Sequence, residues 1–398
     1  MQSVLNGESQ NWRSPWWAVT AMFVYNGALY GMWASRIPAI AKTHALSPSL
    51  LGLLLLALAA GAIVSFPLAG RAADRFGAAP VTKRIAVAYC GTLILIAFAP
   101  TTWTLAAALF MFGAAHGAMD VTMNAWATEV ERHLGRRVMS SFHAMFSVGA
   151  GAGAASGYIA VKYGLPVSMH FVVINLGVMA LCLYVAALPW LSQHTSSLND
   201  AGEVAAPGFM LPKGALFGVG VAAGCAALGE GAMADWSAIF LISVAGVGEA
   251  SAALGYAVFS IAMVAMRLMG DRAVQVLGVV PAARLAGIAA MLGSGIAVLF
   301  ATFPAILLGF ALMGIGYAVI MPLAFTRAAN DGAMAPGAAI ASVSILGYGG
   351  FLLGPPLIGF AAEATSVQTA FLILTGLAVV ISLLAGILEQ KKAPPAGG

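Results

Sequence analysis

A chain of 398 residues that is 61% hydrophobic and only 8% charged is excluded from the water-soluble class, in which roughly 25% of residues are charged. Apolar runs of about 20 residues, rather than alternating stretches of about 10, place it in a lipid bilayer as helices and exclude a β-barrel. The net charge of +4 comes from basic residues scattered through short loops, which excludes the continuous basic surface that nucleic-acid binding requires.

The first 15 residues lack the charged, then apolar, then small-residue order of a cleaved leader, so the first apolar run is expected to stay as a span. Twelve such runs follow one another, at 15–36, 48–69, 84–100, 103–128, 138–160, 166–189, 213–243, 248–268, 284–300, 303–326, 335–361 and 367–388. With the N-terminus inside, all of the 18 Lys and Arg residues except Arg36, Lys42 and Lys162 fall on the cytoplasmic side. This is the asymmetry that sets membrane topology, and it favours an even number of spans with both termini cytoplasmic in a bacterial inner membrane. Cys90, Cys182 and Cys225 each sit within an apolar run and imply neither a disulfide framework nor a metal site.

One long polar interruption divides the runs six and six. The expected units are an N-terminal six-helix bundle (1–191), a cytoplasmic central loop (192–212), and a C-terminal six-helix bundle with a short tail (213–398). The halves resemble each other: the stretch from Gly70 to Arg84 matches that from Gly270 to Arg284, and NGALYGMWAS (Asn26 to Ser35) matches EGAMADWSA (Glu230 to Ala238). Duplicated halves of this kind characterise secondary transporters that bind substrate near the midplane between repeats.

After the second span, GRAADRFG resembles the loop motif of the major facilitator superfamily, matched here by Gly70, Ala73, Asp74, Arg75 and Gly77. A weaker repeat follows at Gly270, Asp271 and Arg272. The phrases DVTMNAW, EGAMADWS and GYGGFLLGPPLIG are similar to the bacterial rhizopine-associated (MosC-like) group within that superfamily, and more distantly to the fucose-proton symporters. The resemblance implies an all-α integral membrane protein of twelve helices in two pseudo-symmetric bundles, with spans 1, 4, 7 and 10 lining a central cavity. It also implies that Gly70, Asp74, Arg75 and Gly77 form a cytoplasmic gate motif in which Asp74 latches the closed inner side.

The fourth span sets His116, Asp120 and Asn124 four residues apart, hence on one face of an apolar helix. An acid within a span is expensive unless it faces protein or water, and so marks a candidate site. Asp120 with its two companions, Glu230 between Gly229 and Gly231 on span 7, and Asn26 on span 1 form the candidate substrate and proton-coupling set. The glycine pair is expected to loosen span 7 around Glu230. Tyr30, Trp33 and Tyr348 are further candidate substrate contacts, although Trp33, Trp126 and Trp236 also suit an interfacial aromatic belt. Arg36 and Asp235, near the outer ends of repeat-related spans, form a candidate outer gate, with two snorkelling interfacial charges as the alternative. His143 is expected to be a packing residue. Span 10, the repeat counterpart of span 4, has no acid.

These features point to a secondary transporter of a small polar organic solute, sugar- or polyol-like, working by alternating access with proton symport. A proton-coupled exporter of amphiphilic compounds is the alternative of the same class, supported by 19 methionines. A membrane sensor that binds ligand without moving it is the alternative of another class. No nucleophile–base pair, metal cluster or phosphate-binding loop of the GxxxxGK[ST] kind appears, so an enzyme, a cofactor and a metal are not expected. The expected partners are the solute, protons and the bilayer, and one chain supplies a complete twelve-helix unit, so a monomer is expected.

Overall fold

The computed structural model describes residues 14–135, 138–192, 212–331 and 336–389. They form twelve spans: α1 Pro15–Thr43, α2 Pro48–Phe76, α3 Ala78–Ala97, α4 Thr102–Leu134, α5 Met139–Lys162 and α6 Val167–Ala186 in the first half. The second half holds α7 Ala215–Ala245, α8 Glu249–Leu277, α9 Val279–Leu299, α10 Phe303–Ala329, α11 Pro336–Ala364 and α12 Val367–Leu388. Many run well past the expected ends: α4 continues to Leu134, and α8 carries Arg267 inside the helix rather than in a loop. Arg13, Arg136, Arg137, Lys391 and Lys392 lie outside the described residues.

Local chemistry sets the starts of the helices. Ser14 and Ser47 each accept a backbone N–H three residues on, ahead of Pro15 and Pro48 at the first helical position. Thr101 and Thr104 form a reciprocal capping box on α4, which ends at Gly135 in the left-handed region.

Eleven of the spans are apolar enough to cross a membrane by composition, and α1 is the exception. From Ala18 to Ile37 every residue of α1 except Val24 is buried in the protein. A helix shielded from lipid on all sides can hold Asn26, Ser35 and Arg36 without exposing them to hydrocarbon, which explains its lower apolarity.

Close approach of backbones holds α1 to α5. A side chain at Gly31 would meet the Ala150 carbonyl, and one at Gly153 would meet the Ala28 carbonyl. Lipid gives helices no hydrophobic drive to associate, so such small-residue contacts supply the packing.

The two halves touch along α5 and α8, and at the end of the molecule remote from the termini α2 and α11 seal against each other. There the Pro356 Cα lies 3.0 Å from where a Gly52 side chain would begin. Gly359 packs on Pro48, and the Ser49 N–H donates to the Glu363 carboxylate at 3.3 Å.

Candidate functional site

A cavity of about 510 Å³ lies between the halves, reaching from Tyr30 and Ala234 to Met139, Val274 and Phe325 near the terminal ends of their helices. Its wall is mostly apolar, with Phe66, Phe146 and Phe351 prominent, and into it project Asp120, Glu230, Arg267, His116 and His143. Residues of α2, α5, α8 and α11 contribute as well as those of α1, α4, α7 and α10, so the wall is broader than the four expected spans.

The α4 stripe comes together as its spacing implies. Asn124 bends back along the helix, donating to the Asp120 carbonyl at 2.8 Å and to its carboxylate at 3.2 Å. Asn124 therefore orients Asp120 and is not itself part of the cavity wall. His116 shares a 3.0 Å hydrogen bond with the Tyr89 hydroxyl through Nδ1, and Tyr30 stacks on the ring at 5.0 Å between centroids. Asp120 makes no ion pair among the described residues.

Glu230 faces Arg267. The guanidinium reaches both carboxylate oxygens from one nitrogen at 3.4 Å, while its other terminal nitrogen donates to Ser147 Oγ at 2.7 Å. Ser147 belongs to the first half and Glu230 to the second, so Arg267 ties α5 to α7 through α8. Sequence reasoning misses Arg267 because its position at the end of the expected span 8, 248–268, reads as a cytoplasmic topology signal. A basic residue immediately after the apolar Ile261–Met266 segment is the available clue. His143, expected to pack, has its ring open to the cavity and lies edge-on to Phe23 at 5.3 Å.

Other candidates lie elsewhere. Asn26 is fully buried behind the wall, its amide nitrogen 3.6 Å from the Met123 sulfur and its carbonyl oxygen without a partner. Trp33 packs at 6.2 Å from Phe112 and is 0% exposed, so it is neither a cavity contact nor a belt residue. Trp236 and Trp126 are equally buried, the latter beneath the Lys83 ammonium at 5.3 Å. Their positions near span ends suggest an interface, but these helices project beyond their apolar windows and are wrapped by neighbours there. The Tyr348 side chain lies outside the described residues.

The outer pair does not form. Arg36 donates to the Leu165 carbonyl at 3.3 Å, and Asp235 is buried beside Tyr30 with one carboxylate oxygen unpartnered. Helix rotation, which spacing along a sequence cannot fix, turns the two side chains to different neighbours. Glycines 229 and 231 do not interrupt α7, which is continuous; they make room for the Tyr317 and Phe351 rings.

The stretch expected to form the gate motif is the last two turns of α2 rather than a loop. Gly70 lies in the helix, Asp74 and Arg75 are exposed, and the turn is made by Gly77 alone at φ +87°. Beside it, Ser192 Oγ accepts from the Ala79 N–H at 3.0 Å, Lys83 donates to the Leu188 carbonyl at 3.0 Å, and Trp190 donates to Glu129 at 2.7 Å. The start of the central connector is thereby fastened to the first half.

Comparison with known proteins is consistent across the chain. The sequence model of the Major Facilitator Superfamily matches residues 18–333. The chain is 46% identical to the uncharacterized transporter y4wD of Sinorhizobium fredii (strain NBRC 101917 / NGR234), over 95% of this chain and 99% of that one. It is 32% identical to the membrane protein MosC of Rhizobium meliloti, over 94% and 90%. Among solved structures, the nucleoside transporter NupG superposes with a TM-score of 0.72 at 14% identity, over 96% of this chain and 100% of that one. A variant of the E. coli fucose:proton symporter FucP superposes with a TM-score of 0.62 at 16% identity, over 95% and 99%. These two likenesses show the shared fold.

Proposed function

The chain belongs to the major facilitator superfamily of membrane transporters, and from that premise we propose that it moves a small polar organic solute, sugar- or polyol-like, by proton-coupled symport. The observation that carries this reading is the cavity between the halves, where Asp120 projects without an ion-pair partner among the described residues while Glu230 is held by Arg267. Such a carboxylate can bind a proton from one side and release it to the other as access alternates. Asn124 fixes its orientation, and His116 and Tyr30 supply polar and stacking surface for a solute.

In this reading the two halves rock about the cavity, and the seal at Gly52 and Gly359 is the closed outer gate. With both termini assigned to the cytoplasm of a bacterial inner membrane, the conformation is open inward. The fucose:proton symporter and the nucleoside transporter among its structural neighbours lend support, since fucose and nucleosides both contain a sugar. The apolar share of the wall favours a second reading, proton-coupled export of amphiphilic compounds.

The test of coupling is Asp120→Asn reconstituted in proteoliposomes. Accumulation driven by a pH gradient is expected to vanish while counterflow exchange persists; undiminished accumulation excludes Asp120 as the coupling acid. A thermal-shift screen of the purified chain separates the two substrate readings. Stabilisation by sugars or polyols alone supports the symporter, and stabilisation by cationic dyes alone supports the exporter.

A further inference from the structure

Asp235 stands apart from the other acids. It lies on α7 five residues beyond Glu230 and is 3% exposed. One carboxylate oxygen has no hydrogen-bond partner, and no Lys or Arg pairs with it among the described residues. The groups that face it are the Tyr30 hydroxyl of α1 and the Tyr256 phenol of α8; Glu230, the nearest acid on α7, is turned to Arg267. A carboxylate buried without a cation costs several kcal/mol, and a carboxyl group carrying a proton avoids that penalty.

Its location gives the burial a use. Tyr30 lines the cavity with its ring stacked on His116, while its hydroxyl lies near Asp235, buried and without a hydrogen-bond partner of its own. The ring therefore stands between the carboxyl group and the cavity. On the other side α1 and α7 touch across the two halves, alongside the larger α2–α11 contact at the seal.

We propose that Asp235 is a proton-binding site in series with Asp120, shielded from the inner cavity by the Tyr30 ring and opened to the outer side when α1 and α7 part. Rotation of the ring lets the carboxyl O–H pass its proton to a cavity water, leaving a carboxylate that is reprotonated from water when access alternates. No co-reactant is needed. The inference rests on the proton-coupled reading above and supplies it with a second binding site.

Infrared spectroscopy of the full purified chain at neutral pH tests this without knowledge of the solute, because a protonated carboxyl group has its own carbonyl band. The expected result is a band that is absent in Asp235→Asn, present in Asp120→Asn and displaced in Tyr30→Phe. Exchange of that band in heavy water should be faster on the order of tenfold in Tyr30→Ala, where the shield is gone. A wild-type spectrum without the band, a band kept in Asp235→Asn, or an exchange rate unchanged in Tyr30→Ala overturns the proposal. Should Asp235→Asn not fold, an unmoved band in Tyr30→Phe has the same force. Loss of gradient-driven uptake in wild-type proteoliposomes would instead defeat the coupling reading, with the band as an independent record.

Discussion

Arg267 is held at one terminal nitrogen by Ser147 and at the other by Glu230, and each contact limits what a substitution there can do. Removing the guanidinium leaves Glu230 facing an apolar wall without its partner. The two side chains keep 17% and 25% of their exposure, so solvent tempers the penalty. Arg267→Met is expected to lower stability by about 1–2 kcal/mol and to stop transport. Adding Glu230→Leu should restore the melting temperature but not transport, which thermal denaturation and uptake read separately; recovery of uptake would remove the pair from the mechanism. At this scale the sequence is legible where spacing along one helix decides the geometry, as for His116, Asp120 and Asn124. It is not legible where rotation about a helix or the partner on another helix decides, as for Arg267, Asp235, Asn26 and the three buried tryptophans.

The repeat that relates α4 to α10 acquires a physical meaning from the break in α10. Overlaying Val121 on Val319 sets Asp120 opposite Ala318 and Asn124 opposite Pro322. Proline has no N–H to give the carbonyl four residues back and its ring crowds that carbonyl, so α10 parts into Phe303–Tyr317 and Ile320–Ala329 with Ala318 and Val319 between. Both intervening residues line the cavity. Where one half places a carboxylate, the other places a helix break. Pro322→Ala should close the break, raising the melting temperature by the equivalent of about 1 kcal/mol and slowing turnover; unchanged turnover would mean the interruption is incidental. The end of α2 bears a second element-scale expectation. Asp74 is exposed and makes no ion pair among the described residues, as the proposed latch, engaged only in the opposite state, requires. Asp74→Ala should insert normally but transport slowly, and wild-type uptake rates would defeat the latch. The motif itself is readable from its residues; that it forms helix rather than loop is not, because the apolar window ends before the helix does.

For the molecule as a whole, the succession of twelve spans is legible because lipid demands long apolar runs and tolerates polar connectors only between them. The conformation is not, since it depends on which end of the interface is packed. That end is closed by Gly52 against Pro356 and Gly359 against Pro48, so a bulky side chain cannot be accommodated without parting the halves. Gly52→Leu should shift the population toward the outward-open state, and spin-label distances across the outer ends of α2 and α11 should lengthen; unchanged distances would show that the seal yields locally.

The fastening of Leu188, Trp190 and Ser192 to the first half also fixes where the covalent link between halves begins. The packing of α5 on α8 and of α2 on α11 joins the halves independently of that covalent link. Two polypeptides divided within residues 193–211 and expressed together should therefore assemble and transport, with yield rather than turnover as the quantity that falls.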